Sequence, residues 1–347
     1  MKLKILKFSA YIFTVITLCI ACNDDDDDTI PFVERDRTEQ QMADKDSILN
    51  YLSTHYYNSS YFETGTNHKY DDIVITELPI GEGVPDGNTL LVEAVETFEI
   101  EYLETDYEYY VLRINQGAGD APNFTDVIRA RYEGFSVASG EVFDGVVTPI
   151  ELRLQGNGFS TSGAIKAWQL IMPLFNSAID FDLDNGSVNY NNYGLGVMFV
   201  PSGLAYFSSA TTGASYDNLI FKFELLQTEV IDHDNDGIPS YVEDLDGNLI
   251  VEDDDTDENT FANFIDIDDD GDEVLTINEL IPTQYIVDTN NGEEEPVLMA
   301  DEFELNRSEN AGIIIINTVT IADDNGDGVP DYLDETITIN YNEDEDS

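Results

Sequence analysis

Asp232, Asp234 and Asp236 stand one residue apart, Gly237 and Ile238 follow, and Glu243 occupies the twelfth position. A chain that turns at the glycine can aim these carboxylates at one hard cation, add the Ile238 carbonyl and close the shell with Glu243. The pattern returns at Asp323, Asn325, Asp327, Gly328, Val329 and Asp334. A third copy, Asp268, Asp270, Asp272 and Glu279, has Glu273 where glycine is expected. Starting it at Asp266 instead puts Gly271 at the turn but loses the closing acid, so two registers stay open. A weaker copy runs through Asp255, Asp257 and Asn259 to Asp266. Tyr241, Leu275, Ile277 and Tyr332 place apolar anchors among the acids, unlike a disordered acidic tail. Loops that saturate their cation with protein oxygens leave no place for an activated water, so the expected metal is structural and not hydrolytic.

The array resembles thrombospondin type 3 and related calcium repeats, which implies Ca2+ as a structural cofactor. Charge agrees with a cationic partner. Asp and Glu number 72 against 14 Lys and Arg, a formal charge of -58 over 347 residues. From Phe223 onward Arg307 is the only Lys or Arg. Such an excess repels phosphate backbones and excludes a nucleic-acid partner. The sequence has no nucleotide-binding glycine loop and no Cys/His zinc spacing, and its three histidines support no hydrolytic triad.

A second set of residues is aromatic and lies upstream. Val127, Tyr132 and Gly134 open it, and Ser139, Gly140, Phe143 and Asp144 follow. Ala164, Ile165, Ala167 and Trp168 come next, then Leu204, Ala205 and Tyr206. Asn218, Leu219, Phe221, Phe223, Glu224, Leu225 and Leu226 close it. Several short motifs in one order weigh more than any alone. This stretch, about a third of the chain, resembles the FKBP-type peptidyl-prolyl cis-trans isomerases. Against the family pattern, Ala164 replaces Val, Ala167 and Phe207 replace Gly, and Ser208 to Asp217 replaces an Ile-Pro-rich loop. Asn176 to Tyr193 reads as an insertion. These departures predict altered specificity and reduced activity.

The resemblance implies catalysis without a cofactor. An X-Pro amide rotates over a barrier of about 20 kcal/mol. An apolar slot that desolvates the carbonyl favours the twisted amide over the planar one. By the resemblance, Trp168 forms the pocket floor, and Tyr132, Phe143, Ile165 and Phe221 surround the proline ring. Tyr206 donates to a substrate carbonyl, and Asp144 sits beside the twisting bond. Ile150 stands where the family often has a pocket aromatic. The implied partners are proline-containing polypeptide chains. The rival readings are a non-catalytic chaperone on the same scaffold and a calcium-dependent surface binding module.

At the other end, Lys2, Lys4 and Lys7 precede an apolar run from Phe8 to Ala21 that is short for a membrane span, and Cys22 follows it. This reads as a bacterial lipoprotein signal with lipid on Cys22, although Cys19 stands where leucine is usual. Asn23 and Asp24 to Asp28 resemble the surface-export signal of Bacteroidetes lipoproteins. The expected location is the outer membrane, surface-exposed, with attachment through that lipid. Loss of Cys19 with the signal leaves no disulfide.

These elements predict an α+β chain in five parts. Residues 1–21 form the signal, 22–31 an acidic tether, and 32–105 an N-terminal extension. Residues 106–229 form an FKBP-like curved antiparallel sheet wrapped around one short helix near 164–175, and 230–347 the calcium-loop region. Ile48, Tyr51, Leu52 and His55 share a face of a helix from about Arg37 to Tyr56. That helix packs on the isomerase domain or pairs two copies into a homodimer. Short strands are expected at 73–75 and 90–92. The β-branched runs 313–316 and 318–321 suggest a strand or hairpin splitting the calcium array.

Overall fold

The computed structural model describes residues 33–343. The signal, the acidic tether and Cys22 lie outside the described residues. Helix α1 (Arg37–Thr54) starts where the Asp36 carboxylate accepts the Glu39 N–H at 2.9 Å, which satisfies one of the free donors of the first turn. Three short strands follow, β1 (His55–Tyr57), β2 (Ile75–Glu77) and β3 (Thr89–Leu90), with β1 in the middle. The expected strand at 90–92 stops at Leu90. Leu91–Ala94 forms one helical turn, α2, because rolling the chain there carries Leu91 to 0% exposure in the core.

The central sheet comprises β4 (Glu96–Tyr102), β5 (Thr105–Asn115), β6 (Val127–Ser136) and β7 (Val142–Arg153), and then, beyond the helix α3 (Lys166–Ile171), more of the chain. A hairpin, β8 (Asp180–Asp184) and β9 (Ser187–Asn191), precedes the last two sheet strands, β10 (Gly194–Val200) and β11 (Leu219–Glu229). The hairpin fills the stretch that reads as an insertion. The sheet order is β4-β5-β10-β11-β6-β7, antiparallel throughout. Since β4 pairs with β5 from Glu96 onward, the sheet starts before residue 106.

Strand period two sends alternate side chains to opposite faces, and here both faces are covered. Met198, Val200, Leu219, Phe221, Phe223 and Leu225 join Ala167, Trp168, Leu170 and Ile171 of α3 in one core. Leu195, Val197, Phe199 and Ile220 join Ile48 and Leu52 of α1 in the other. The apolar face of α1 is therefore buried within its own chain. Glu224 points into that second layer at 0% exposure, where Arg131 meets it at 3.0 Å and the Tyr70 N–H at 3.1 Å. A buried carboxylate without such partners would be strongly destabilising.

Beyond residue 230 regular structure is sparse. Five acidic loops start at 232, 244, 255, 268 and 323. Between the fourth and fifth lies an antiparallel sheet of β12 (Ile281–Asp288), β13 (Glu302–Asn310) and β14 (Ile313–Thr320), with β14 in the middle. Ile238, Leu280, Val319 and Tyr332 gather the first loop, the fourth loop, the sheet and the last loop into one apolar cluster.

Candidate functional site

Trp168 lies on α3, at 4% exposure, packed into the core that the helix shares with one face of the sheet. Its ring stands edge-on to Tyr132 at 5.2 Å and to Phe221 at 5.5 Å between centroids. Phe143 meets Phe221 at 5.6 Å and Tyr206 at 6.5 Å, both nearly perpendicular. Edge-to-face packing of this kind locks each ring and leaves a rigid apolar wall. Gly134 makes the packing possible, because a Cβ there would fall 2.6 Å from the Phe221 ring and 3.0 Å from Phe143.

The Tyr132 hydroxyl donates to Asp144 at 2.8 Å. Burial, and after it this bond, raise the phenol's pKa, so the hydroxyl stays a donor. Asp144 is exposed and its other oxygen accepts the Gly145 N–H at 2.8 Å. Ile150 and Ile165 are partly buried and pack against the same core, Ile165 just ahead of α3. The structure thus brings Tyr132, Phe143, Asp144, Ile150, Ile165, Trp168, Tyr206 and Phe221 to one side of the sheet.

Tyr206 is carried by the turn after β10, which is tied to α1. Asp44, 2% exposed, accepts Ser202 N–H at 3.0 Å, Ser202 Oγ–H at 2.6 Å and Gln40 Nε2–H at 2.6 Å. Burial raises the Asp44 pKa, and these donors oppose it. Phe207, where the family resemblance expects glycine, has φ +47°. It keeps this costly left-handed backbone because its buried ring lies under the Arg37 guanidinium at 4.1 Å and edge-on to Tyr216 at 5.0 Å. Neither Asp44 nor Arg37 has a sequence signal; both are polar residues of an otherwise ordinary helix.

The acidic loops share one backbone. In each, the fourth and sixth residues are left-handed: Asn235 and Gly237, Gly247 and Leu249, Glu258 and Thr260, Gly271 and Glu273, Gly326 and Gly328. In each, the side chain of the fifth residue accepts the N–H of the seventh, at 2.6 to 2.9 Å. This decides the open register. The third expected loop starts at Asp268, with Glu273 at φ +78°, and not at Asp266. The loop at 244 lies outside the copies expected from the sequence, although Asp244, Asp246, Gly247 and Asn248 carry the spacing.

Carboxylate oxygens of Asp232, Asp234 and Asp236 lie within 4.8 Å of one another, as do those of Asp268, Asp270 and Asp272, and those of Asp244, Asp246 and Asp254. The closing residues Glu243 and Glu279 are both 0% exposed, and neither carboxylate has a hydrogen-bond partner. Burial pushes Asp236 up to about 7 against the Ile238 N–H. Burial, then Asp270, Asp272 and Asp268, pushes Glu279 up to about 9. Orphaned buried carboxylates on this scale need a counter-charge, and hard oxygens on alternate residues suit a calcium-sized dication. The 323 loop differs: Asn325 bridges Asp327 at 3.1 Å and Asp334 at 3.0 Å, Asp323, Asp327 and Val329 are exposed and Asp334 half-buried, and among the described residues its carboxylates form no comparable triad.

The BamM C-terminal family model matches residues 233–298. No curated protein matches the sequence. Among solved structures, the chain is similar to a peptidyl-prolyl cis-trans isomerase from Pseudomonas syringae pv. tomato, with 13% identity, TM-score 0.31, and coverage of 57% of this chain and 99% of that one. It is also similar to FkpA from Escherichia coli, with 20% identity, TM-score 0.29, and coverage of 40% and 52%.

Proposed function

We propose that the chain is a peptidyl-prolyl cis-trans isomerase of FKBP type whose acidic C-terminal region folds around structural calcium. The observation that carries this reading is the convergence of Tyr132, Phe143, Trp168 and Phe221 into one edge-to-face wall with the Tyr132–Asp144 pair beside it. Such a wall desolvates a prolyl ring and its amide without offering a nucleophile. A rate gain of about four orders of magnitude requires roughly 5.5 kcal/mol of preferential stabilisation of the twisted amide. Desolvation by the rings, a hydrogen bond from Tyr206 to a substrate carbonyl, and the Asp144 charge beside the rotating bond are the available sources.

In the C-terminal region, Asp232, Asp234, Asp236, Ile238 and Glu243, and Asp268, Asp270, Asp272 and Glu279, hold the ions, with Asp323, Asn325, Asp327, Val329 and Asp334 as a weaker site. Calcium supplies only positive charge there. The match to the BamM C-terminal family fits a bacterial outer-membrane-associated setting, and lipid on Cys22 would provide the attachment. A protease-coupled assay on an X-Pro peptide tests the enzyme: calcium-loaded chain should accelerate isomerisation and Trp168→Ala should abolish the acceleration. Equal rates for both, or no rate above background, would refute the reading.

A further inference from the structure

Asp269 occupies the second position of the 268 loop, a position that contributes no ligand to the loop's own ring of Asp268, Asp270 and Asp272. Its side chain meets a different loop. Oxygens of Asp269, Asp236 and Glu243 all lie within 4.8 Å of one another. Glu243 is 0% exposed, and Asp236 and Asp269 are 1% exposed. Both oxygens of Glu243, both of Asp269 and Oδ2 of Asp236 lack a hydrogen-bond partner. Thr276 Oγ1 accepts the Asp269 N–H at 3.2 Å, and its one proton, the nearest donor to the carboxylate, makes no well-formed bond to either oxygen.

Among the described residues beyond Lys222 the only Lys or Arg is Arg307, which pairs with Glu295 and Glu304, and the imidazole of His233 is engaged elsewhere, with Ser240 Oγ at 2.9 Å and edge-on to Phe264. Water is kept out by the neighbouring apolar cluster of Ile238, Leu280, Val319 and Tyr332. Three mutually close, buried and unpartnered carboxylates cannot all stay charged in such a place without a cation.

We propose that Asp236, Glu243 and Asp269 form a second divalent-cation site, shared between the 232 and 268 loops, with Asp236 and Glu243 bridging it to the ion of the 232 loop, which Asp232 and Asp234 also hold. This rests on the reading of the loops as cation sites and extends it. Two dications among five carboxylates leave about one uncompensated negative charge, where a single dication leaves about three. The shared ion staples together loops that are distant in sequence, so that the array closes on itself.

Calcium uptake by the full chain, stripped with EDTA and titrated against a chromophoric chelator, tests the site. Asp269→Asn should bind one calcium fewer than wild type, while Asp269→Glu and the exposed control Glu309→Gln keep the count. Melting gives a second, independent sign. Asp269→Asn removes repulsion from the empty site and should raise Tm in EDTA, yet lower it relative to wild type in calcium. An unchanged count in Asp269→Asn, or a Tm shift of the same sign in both buffers, overturns the shared site while the single-loop sites stand. A wild-type chain that takes up no calcium overturns both readings.

Discussion

Lys166 donates its ammonium to the backbone carbonyl of Leu249, joining the helix that carries Trp168 to the 244 loop, and it donates to Gln169 Oε1 at 2.9 Å as well. Gln155 Nε2 reaches Glu252 of the same loop at 2.7 Å, a second tie. Burial lowers the Lys166 pKa from 10.5 to about 8, and Glu252, Asp244 and Asp253 oppose the shift. The folded chain therefore releases this proton near pH 8 and the unfolded chain near 10.5. Between those values the unfolded state binds more protons, so this group makes stability rise with pH, and the contribution is lost as pH falls through about 8. Urea midpoints in calcium from pH 7.5 to 10.5 should show the rise, and Lys166→Met should flatten it.

The Tyr132–Asp144 bond lies within the proposed reaction pocket, so its loss should affect catalysis more than folding. A hydrogen bond to a charged acceptor is worth about 1.5–3 kcal/mol, which corresponds to roughly 10- to 150-fold in rate. Tyr132→Phe should lower kcat/KM by that amount with a Tm close to wild type. A large fall in Tm with kcat/KM unchanged would mean that the pair only braces the sheet.

Some of these residues are legible in the sequence and others are not. Trp168, Phe221 and Tyr132 were legible because they sit in ordered motifs whose spacing the strands and α3 preserve. The helix α1 occupies Arg37–Thr54 where apolar spacing places a helix, but its buried acid Asp44 was not legible. Its partner Ser202 is remote in the chain, and no local pattern announces that pairing. The position of glycine alone left two loop registers open. Glu273 adopts the left-handed turn because the flanking hydrogen bonds and the ligand-like acids hold it there. Asp269 was hidden for a related reason: its partners come from another loop, and spacing rules describe only one loop at a time.

Phe207 inverts the usual order of core truncations. Removing a buried Phe costs about 3–5 kcal/mol. Glycine at this position also relieves the left-handed backbone, by roughly 1 kcal/mol, whereas alanine does not. Phe207→Gly should therefore destabilise less than Phe207→Ala in chemical denaturation, the reverse of an ordinary helix or strand site.

Asp44 should matter to both stability and the pocket. Asp44→Ala removes the acceptor of Ser202 Oγ–H and the bond from Gln40 Nε2–H, while Asn218 Oδ1 still takes the Ser202 N–H at 3.1 Å. A loss of about 2–3 kcal/mol is expected, with KM raised through the turn that carries Tyr206. Because burial raises the Asp44 pKa, the protonated acid suits the fold better. Its contribution is full below the unfolded value of 3.8 and is lost as pH rises through the folded value. Asp44→Asn, compared with wild type across that range by urea denaturation, should lack this dependence.

Exchange spectroscopy on an X-Pro peptide tests the central claim most directly, because it reports interconversion of cis and trans and does not require cleavage. Catalytic amounts of the calcium-loaded chain should produce exchange cross-peaks between the two isomers on a timescale where the free peptide shows none, and Trp168→Ala should remove them. Shifts that signal binding while the isomers still fail to exchange would contradict the isomerase account and leave a chain-holding module on the same aromatic wall.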